Sequence, residues 1–144
     1  MRRHESLAPL SREHHPSLLL AQLLKKDAPA YKGMPAEPAS KAIYAFNLFH
    51  SSMQEHFRKE EMMLQKVVKC NKEIEKLAGE IILEHQELTS AFLTIRASGN
   101  LVIDLDTLGK KLEQHIRKEE RVLFPLIEQY CPEEILSAIT HLFK

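Results

Sequence analysis

HFRKEE at residues 56–61 and HIRKEE at residues 115–120 are two copies of nearly one phrase, and they decide the fold of this 144-residue chain. Each copy places a histidine, His56 or His115, four residues before a glutamate. In a helix the fourth neighbour is displaced by only about 40° around the axis, so an imidazole and a carboxylate can converge on one point. The repeat therefore predicts a two-metal site inside a bundle of helices.

The composition favours a single helical domain over residues 1–144. Hydrophobic residues make up 44% of the chain, enough for one core, and no alternating Val, Ile and Thr runs predict strands. The 20 basic and 20 acidic residues balance, and no basic patch suggests nucleic-acid binding. The apolar stretches are shorter than the roughly 20 residues that span a bilayer, and no signal segment is evident. We therefore expect a cytoplasmic protein that binds neither membrane nor nucleic acid.

Apolar periodicity and chain breaks predict an all-α fold, an antiparallel four-helix bundle with a short extra C-terminal helix. Ser11 is the predicted cap of the first helix, and Asp104 or Asp106 that of the fourth. Pro125 should disturb the late part of the fourth helix. The first two helices should be joined by a proline-containing crossover over residues 27–40. The predicted helices span about 11–26, 41–67, 74–95, 104–126 and 132–143.

Polar residues interrupt the apolar stripes of three of these helices. His85 takes the missing step between Ile81 and Leu88, and the two histidine–glutamate pairs fall on inward faces in the same way. Any one of these residues is more often a hydrogen-bonded core histidine or a solvated glutamate. Five together favour a bound cation, because an unpaired buried carboxylate costs several kcal/mol. The five residues are His56, Glu60, His85, His115 and Glu119.

The donor set contains nitrogen and carboxylate oxygen without thiolate, which suits iron or manganese and tolerates zinc. Two carboxylates also suit two ions, because a glutamate can place one oxygen on each; Glu60 and Glu119 would be these bridges. No glutamate has a histidine three residues later, so the pattern of ferritin-like di-iron proteins is absent. Neither Cys70 nor Cys131 belongs to a Cys-x-x-Cys pair, and we expect both to be free thiols.

The chain resembles the hemerythrin-like, or HHE cation-binding, domain family over essentially its whole length. HIRKEERVLFP at residues 115–125 resembles the family's helix-four phrase, and HFRKEE at 56–61 is similar to its helix-two phrase. SREHH at 11–15 resembles the first-helix segment. The resemblance implies a non-haem di-iron centre, with manganese or zinc as substitutes. The implied ligands are His15, His56, His85 and His115 as terminal ligands and Glu60 and Glu119 as bridges.

Alternatives remain open at three positions of this ligand set. His15 leads Leu19 and Leu23 at helical spacing and is favoured over His14 on that ground. Glu119 lies about 40° from His115 around the helix and Glu120 about 140°, which favours Glu119. Oxygen-carrying hemerythrins, however, place an acidic bridge one residue later. The same choice arises between the two glutamates at 60 and 61.

The resemblance also implies a function, the binding or sensing of dioxygen, nitric oxide or peroxide, or iron handling. Oxygen carriers have a second histidine four residues after the helix-three ligand, where this chain has Thr89. Fewer protein ligands leave the irons more open, which favours redox chemistry over reversible carriage. One alternative is a di-iron enzyme of nitric oxide or peroxide detoxification or of iron–sulfur repair, and another is a metal-stabilised interaction bundle. A binding or sensing role is favoured over a dedicated enzyme. A redox partner is implied but not identified, and a homodimer is left open.

Overall fold

The computed structural model describes residues 2–143, and within that range the chain forms helices and no strand. This confirms the predicted all-α bundle. No helix in the described range is long and apolar enough to cross a membrane. The helices are α1 (Ala8–Leu24), α2 (38–67), α3 (Lys72–Thr94, followed by a 3-10 turn at Ile95–Ala97), α4 (101–130) and α5 (Glu133–Leu142).

Helix α1 begins three residues before its predicted start, and the predicted cap at Ser11 is wrong. Pro9 lies in the first turn, where its fixed φ suits a helix and its missing N–H costs nothing. The hydroxyl of Ser11 instead donates to Glu120, 2.7 Å away on α4. Pro16 consequently lies in the middle of α1.

Helix α4 also begins earlier than predicted, because Asn100 and not Asp104 or Asp106 caps it. The side chain of Asn100 accepts from the backbone N–H of Ile103 at 3.4 Å. Asp106 has another role: it accepts from the backbone N–H of Lys26 at 2.9 Å and so ties the end of α1 to α4. Asparagine directly before a helix is a good cap, which explains the earlier start.

Two π-helical turns widen the long helices, one in α2 at Phe49–Met53 and one in α4 at Glu119–Leu123. The second turn comes just before Pro125 and ends with the N–H of Phe124 donating to the carbonyl of Glu119. Pro125 has no N–H and its ring crowds the preceding turn, so a widened turn accommodates it without ending the helix. This is the disturbance that the sequence predicts for the late part of α4.

The apolar core consists of two clusters, here called the upper and the lower core. Successive helices meet them in opposite order: α1 and α3 run from the lower core to the upper, and α2 and α4 run back. Neighbouring helices therefore meet the two clusters in opposite directions. The upper core includes Leu20, Phe49, Phe92 and Leu112, and the lower core includes Leu10, Met63, Ile81 and Phe124.

Gly109 in α4 allows close approach to α1, and its replacement tests this contact. A Cβ at position 109 would lie 2.7 Å from the carbonyl oxygen of Ala21 and 3.1 Å from Cβ of Leu24. Gly109→Ala should lower the free energy of unfolding by about 1–3 kcal/mol, because overpacking outweighs the better helix propensity of alanine. Urea unfolding followed by circular dichroism measures this.

Gly79→Ala is the matched control, since Gly79 lies on an exposed face of α3 with open space around it. Here only helix propensity changes, and the free energy of unfolding should rise by up to about 1 kcal/mol. Equal stability of the two alanine variants would contradict the close contact at Gly109.

Candidate metal centre

The structure brings the four residues of the repeated pattern and His85 together in one buried cluster. His56 and Glu60 come from α2, His85 from α3, and His115 and Glu119 from α4. All five are buried, and they form a polar layer between the upper and lower cores. The sequence prediction of which helix faces point inward therefore holds at these positions.

The sixth member of the cluster is His14, and the expectation that His15 occupies this place is corrected. His14 is 1% exposed, and its Nε2 lies 3.1 Å from Glu60 Oε2 and 3.0 Å from Glu119 Oε1. The side chain of His15 is exposed. The reasoning from Leu19 failed because that leucine faces solvent, 56% exposed. The signal that could have found His14 is the stripe of buried residues at alternating steps of four and three: Leu10, His14, Ser17, Ala21 and Leu24.

Glu60 and Glu119 lie between two pairs of histidines. Oxygen Oε2 of Glu60 lies 3.0 Å from His56 Nε2, while Oε1 lies 3.0 Å from His85 Nε2. Oxygen Oε2 of Glu119 lies 3.5 Å from His115 Nε2, on the side opposite its contact with His14. Each carboxylate thus presents one oxygen to each histidine pair, which is the arrangement a bridging carboxylate needs.

Two groups of four donors result, and each could hold one metal ion. In each group the ligand atoms lie within 4.8 Å of one another. The first group has the histidines of α1 and α2, the second has those of α3 and α4, and both share the two glutamates. The groups are His14, His56, Glu60 and Glu119, and Glu60, His85, His115 and Glu119.

Four buried polar atoms in this cluster have no hydrogen-bond partner among the described residues. They are Nε2 of His56, Nε2 of His115 and both carboxylate oxygens of Glu119. A buried polar group without a partner costs about 1–3 kcal/mol, and more when it is charged. Lone pairs of nitrogen and oxygen that point into one space can instead bind a cation. The residues therefore fit a metal by geometry and by donor chemistry.

The protonation of each buried histidine and glutamate in the cluster depends on the charges of its neighbours. Burial lowers the pKa of His14, but the neighbouring carboxylates of Glu119, Glu120 and Glu60 outweigh burial and raise the pKa to about 12. Burial also opposes ionisation of Glu60, yet the surrounding imidazoles, with His56 foremost, hold its pKa well below the ordinary value. Burial and the charge of Glu60 raise the pKa of Glu119. Positive charge is thus required at this site, and metal ions would supply it in place of protons.

A second layer of glutamates orients the four histidines. Each histidine turns Nε2 to the inner carboxylates and contacts one outer glutamate through Nδ1 at 2.6–2.8 Å. An outer carboxylate holds the proton on Nδ1, which leaves the Nε2 lone pair free for a metal. The pairs are His14 with Glu120, His56 with Glu13, His85 with Glu61, and His115 with Glu84.

These contacts place the two glutamates of each adjacent pair in different layers and show which residues around the cluster the sequence did not predict. Glu60 and Glu119 are buried in the cluster, whereas Glu61 and Glu120 belong to the outer layer. The other outer glutamates come directly before His14 and His85 in the chain and were not predicted. Adjacency to a cluster residue on the same helix is the signal all four share. The outer glutamates are Glu13, Glu61, Glu84 and Glu120.

The family model described as hemerythrin HHE cation binding domain matches residues 6–127. The chain belongs to the hemerythrin HHE cation-binding domain family. Comparisons with curated proteins and with solved structures found no match. The hemerythrin match includes all six buried histidines and glutamates of the cluster and ends before α5. Membership in this family implies metal binding, and the cluster could hold the metal.

Separate alanine substitutions of the two adjacent histidines of α1 test whether His14, and not His15, binds the metal. His14→Ala should lose most of the bound metal, because it removes a nitrogen that lies close to both inner carboxylates. His15→Ala should keep it, since that side chain is exposed. Metal per chain, measured by elemental analysis after loading and desalting, gives the comparison. The reverse result would restore His15 as the ligand.

The outer layer is tested by Glu84→Gln. Hydrogen bonds from His115 and Lys118 lower the pKa of Glu84 to about 2, so it is ionised at neutral pH. Loss of this charge weakens the orientation of the histidine and should lower metal affinity about 10- to 100-fold. Competition with a chelator of known affinity measures the change. Glu87→Gln, at an exposed residue of α3, is the control and should bind metal like the unchanged protein.

Proposed function

We propose that this hemerythrin-family protein holds two non-haem iron ions and uses them to bind or sense dioxygen, nitric oxide or peroxide. The observation that carries the proposal is the pair of four-donor groups that share Glu60 and Glu119. Histidine and carboxylate donors without thiolate suit iron, with manganese or zinc as substitutes. When bound, two ferrous ions would supply the affinity for such small molecules and the electrons to reduce them.

The protein supplies position and enclosure. The shared glutamates would hold both ions in one compartment, and the outer glutamates fix each imidazole. Phe57 stacks on His85 at 4.0 Å between ring centroids, and Phe124 stacks on His14 at 5.8 Å. These apolar rings, with the upper and lower cores beyond them, limit the access of bulk water to the cluster and strengthen its electrostatic interactions.

Two histidines and two shared carboxylates per ion leave coordination positions free for an external ligand. Thr89 stands one helical turn after His85, at the position where oxygen-carrying hemerythrins have a further histidine. A threonine hydroxyl there can donate a hydrogen bond to a small molecule at the site. This arrangement favours sensing or redox chemistry over simple oxygen storage. A cytoplasmic location, a redox partner and a homodimer are further parts of the proposal.

The deciding experiment loads the protein with ferrous iron without air and records iron content and the ultraviolet–visible spectrum before and after air is admitted. We expect two irons per chain and new absorption bands in air. Bands that reverse when oxygen is removed indicate binding or sensing. Irreversible bands, or repeated consumption of nitric oxide or peroxide, indicate the enzymatic alternative. Absence of bound iron in a folded protein would overturn the proposal and favour an interaction bundle.

The bridging role is tested by Glu60→Ala and Glu119→Ala. Each change removes donors from both four-residue groups, so each should reduce iron to well below one per chain, whereas His115→Ala affects one group directly. Glu55→Ala, an exposed glutamate on α2, is the control and should retain two irons. Retention of two irons by the Glu119 variant would contradict its bridging role.

A further inference from the structure

A cleft of about 870 Å³ lies between α2 and α3 and borders the cluster at His85. His85 and Phe57 line it at the cluster, and Gln54, Thr89 and Ser90 belong to its walls. His85 is one of the two histidines of the second four-donor group. The cleft therefore runs from solvent to His85, on the side of the centre formed by His85 and His115.

The outer glutamate on this side lacks the basic partner that the other three have. Glu61 contacts His85 through one oxygen, is 40% exposed and borders the cleft. Within residues 2–143 no lysine or arginine forms an ion pair with it. Basic side chains cover the other outer glutamates: Lys59 contacts Glu13, Lys118 contacts Glu84, and Arg3 contacts Glu120. The ring of outer glutamates is thus least covered at His85.

The His14 side of the centre is covered more completely. The ring of Phe124 stacks on His14, and the guanidinium of Arg3 lies 5.5 Å from the centroid of Phe124. Arg3 also bonds Glu128 at 2.9 Å and Glu120 at 3.3 Å, which fixes this N-terminal segment across α4. A small molecule that approaches here would have to displace paired charges and a packed ring.

Thr89 gives the cleft a hydrogen-bonding group close to the centre. It follows His85 by four residues, so it lies on the same face of α3, one turn further along. Its side chain is half-buried, and its hydroxyl forms no hydrogen bond within the described residues. The hydroxyl is therefore available to a molecule that passes from the cleft to the histidine.

We propose that small external ligands of two or three atoms reach the centre through the α2–α3 cleft and bind first on the half held by His85 and His115. This inference rests on the proposed function, because it requires iron at the cluster. It distinguishes two halves whose inner donor residues are alike. The residues around the cluster, and not the metal-binding residues, determine which half a small molecule reaches first.

The test measures how fast azide binds to the iron-loaded, oxidised protein, by stopped-flow absorption, with iron content determined on the same samples. Thr89→Trp should slow azide association about tenfold or more at unchanged iron content, because a filled passage opens only when packed side chains move. Ser90→Trp, at an exposed position of the same wall, should slow it as well. If the Thr89 variant does not load iron, the azide association rate of the Ser90 variant tests the inference.

Ser52→Trp is the matched control. Ser52 is exposed and lines a smaller depression beside Glu13 and Lys59, on the His56 side. Its replacement should leave the association rate unchanged. Unchanged rates in both cleft variants, or slower binding in the Ser52 variant alone, would overturn the inference while the proposed function stands. An unchanged protein that holds two irons yet binds no azide would overturn both.

A crystal structure of the azide complex gives a second, independent readout. Azide on the ion between His85 and His115, with Thr89 beside it, is the expected result. Azide on the ion between His14 and His56 would overturn the inference, whatever the rates show.

Discussion

The structure depends on the burial of two carboxylates, Glu60 and Glu119, between two apolar cores. Neither glutamate can stay charged there alone, and two like charges side by side repel in a medium of low dielectric constant. Every long helix therefore contributes one imidazole to compensate them. The cluster in this way makes the four helices mutually dependent: a helix that shifted along its axis would remove its histidine from the shared carboxylates.

What the sequence could predict is what one helix determines by itself. The histidine–glutamate spacing at residues 56–60 and 115–119 is a property of helical geometry, and so is the place of His85 in its stripe. The choice between His14 and His15 depends on how α1 is rotated, and an exposed Leu19 gave the wrong answer. The outer glutamates depend on which helices are neighbours, which no single helix encodes. The predicted helix caps were wrong because residues such as Ser11 and Asp106 form contacts with other helices or segments instead.

Similar inner donors do not make the two halves of the centre equivalent. One half lies under Phe124 and Arg3, and the other lies at the floor of a cleft. The difference comes from residues outside the ligand set, including a segment that precedes the first helix. The choice of small molecule that such a protein binds would therefore depend as much on the packing around the cluster as on the metals that the cluster holds.

The order of two residues on each helix has a consequence for the hand of the bundle. The outer glutamate precedes the cluster residue on α1 and α3 and follows it on α2 and α4. Adjacent residues in a helix differ by about 100° around the axis, and neighbouring helices run in opposite directions, so all four glutamates point the same way around the bundle. Each then meets the histidine of the next helix. In the mirror-image arrangement of the same helices each would face the wrong neighbour, so these four dipeptides select one topology over its mirror image.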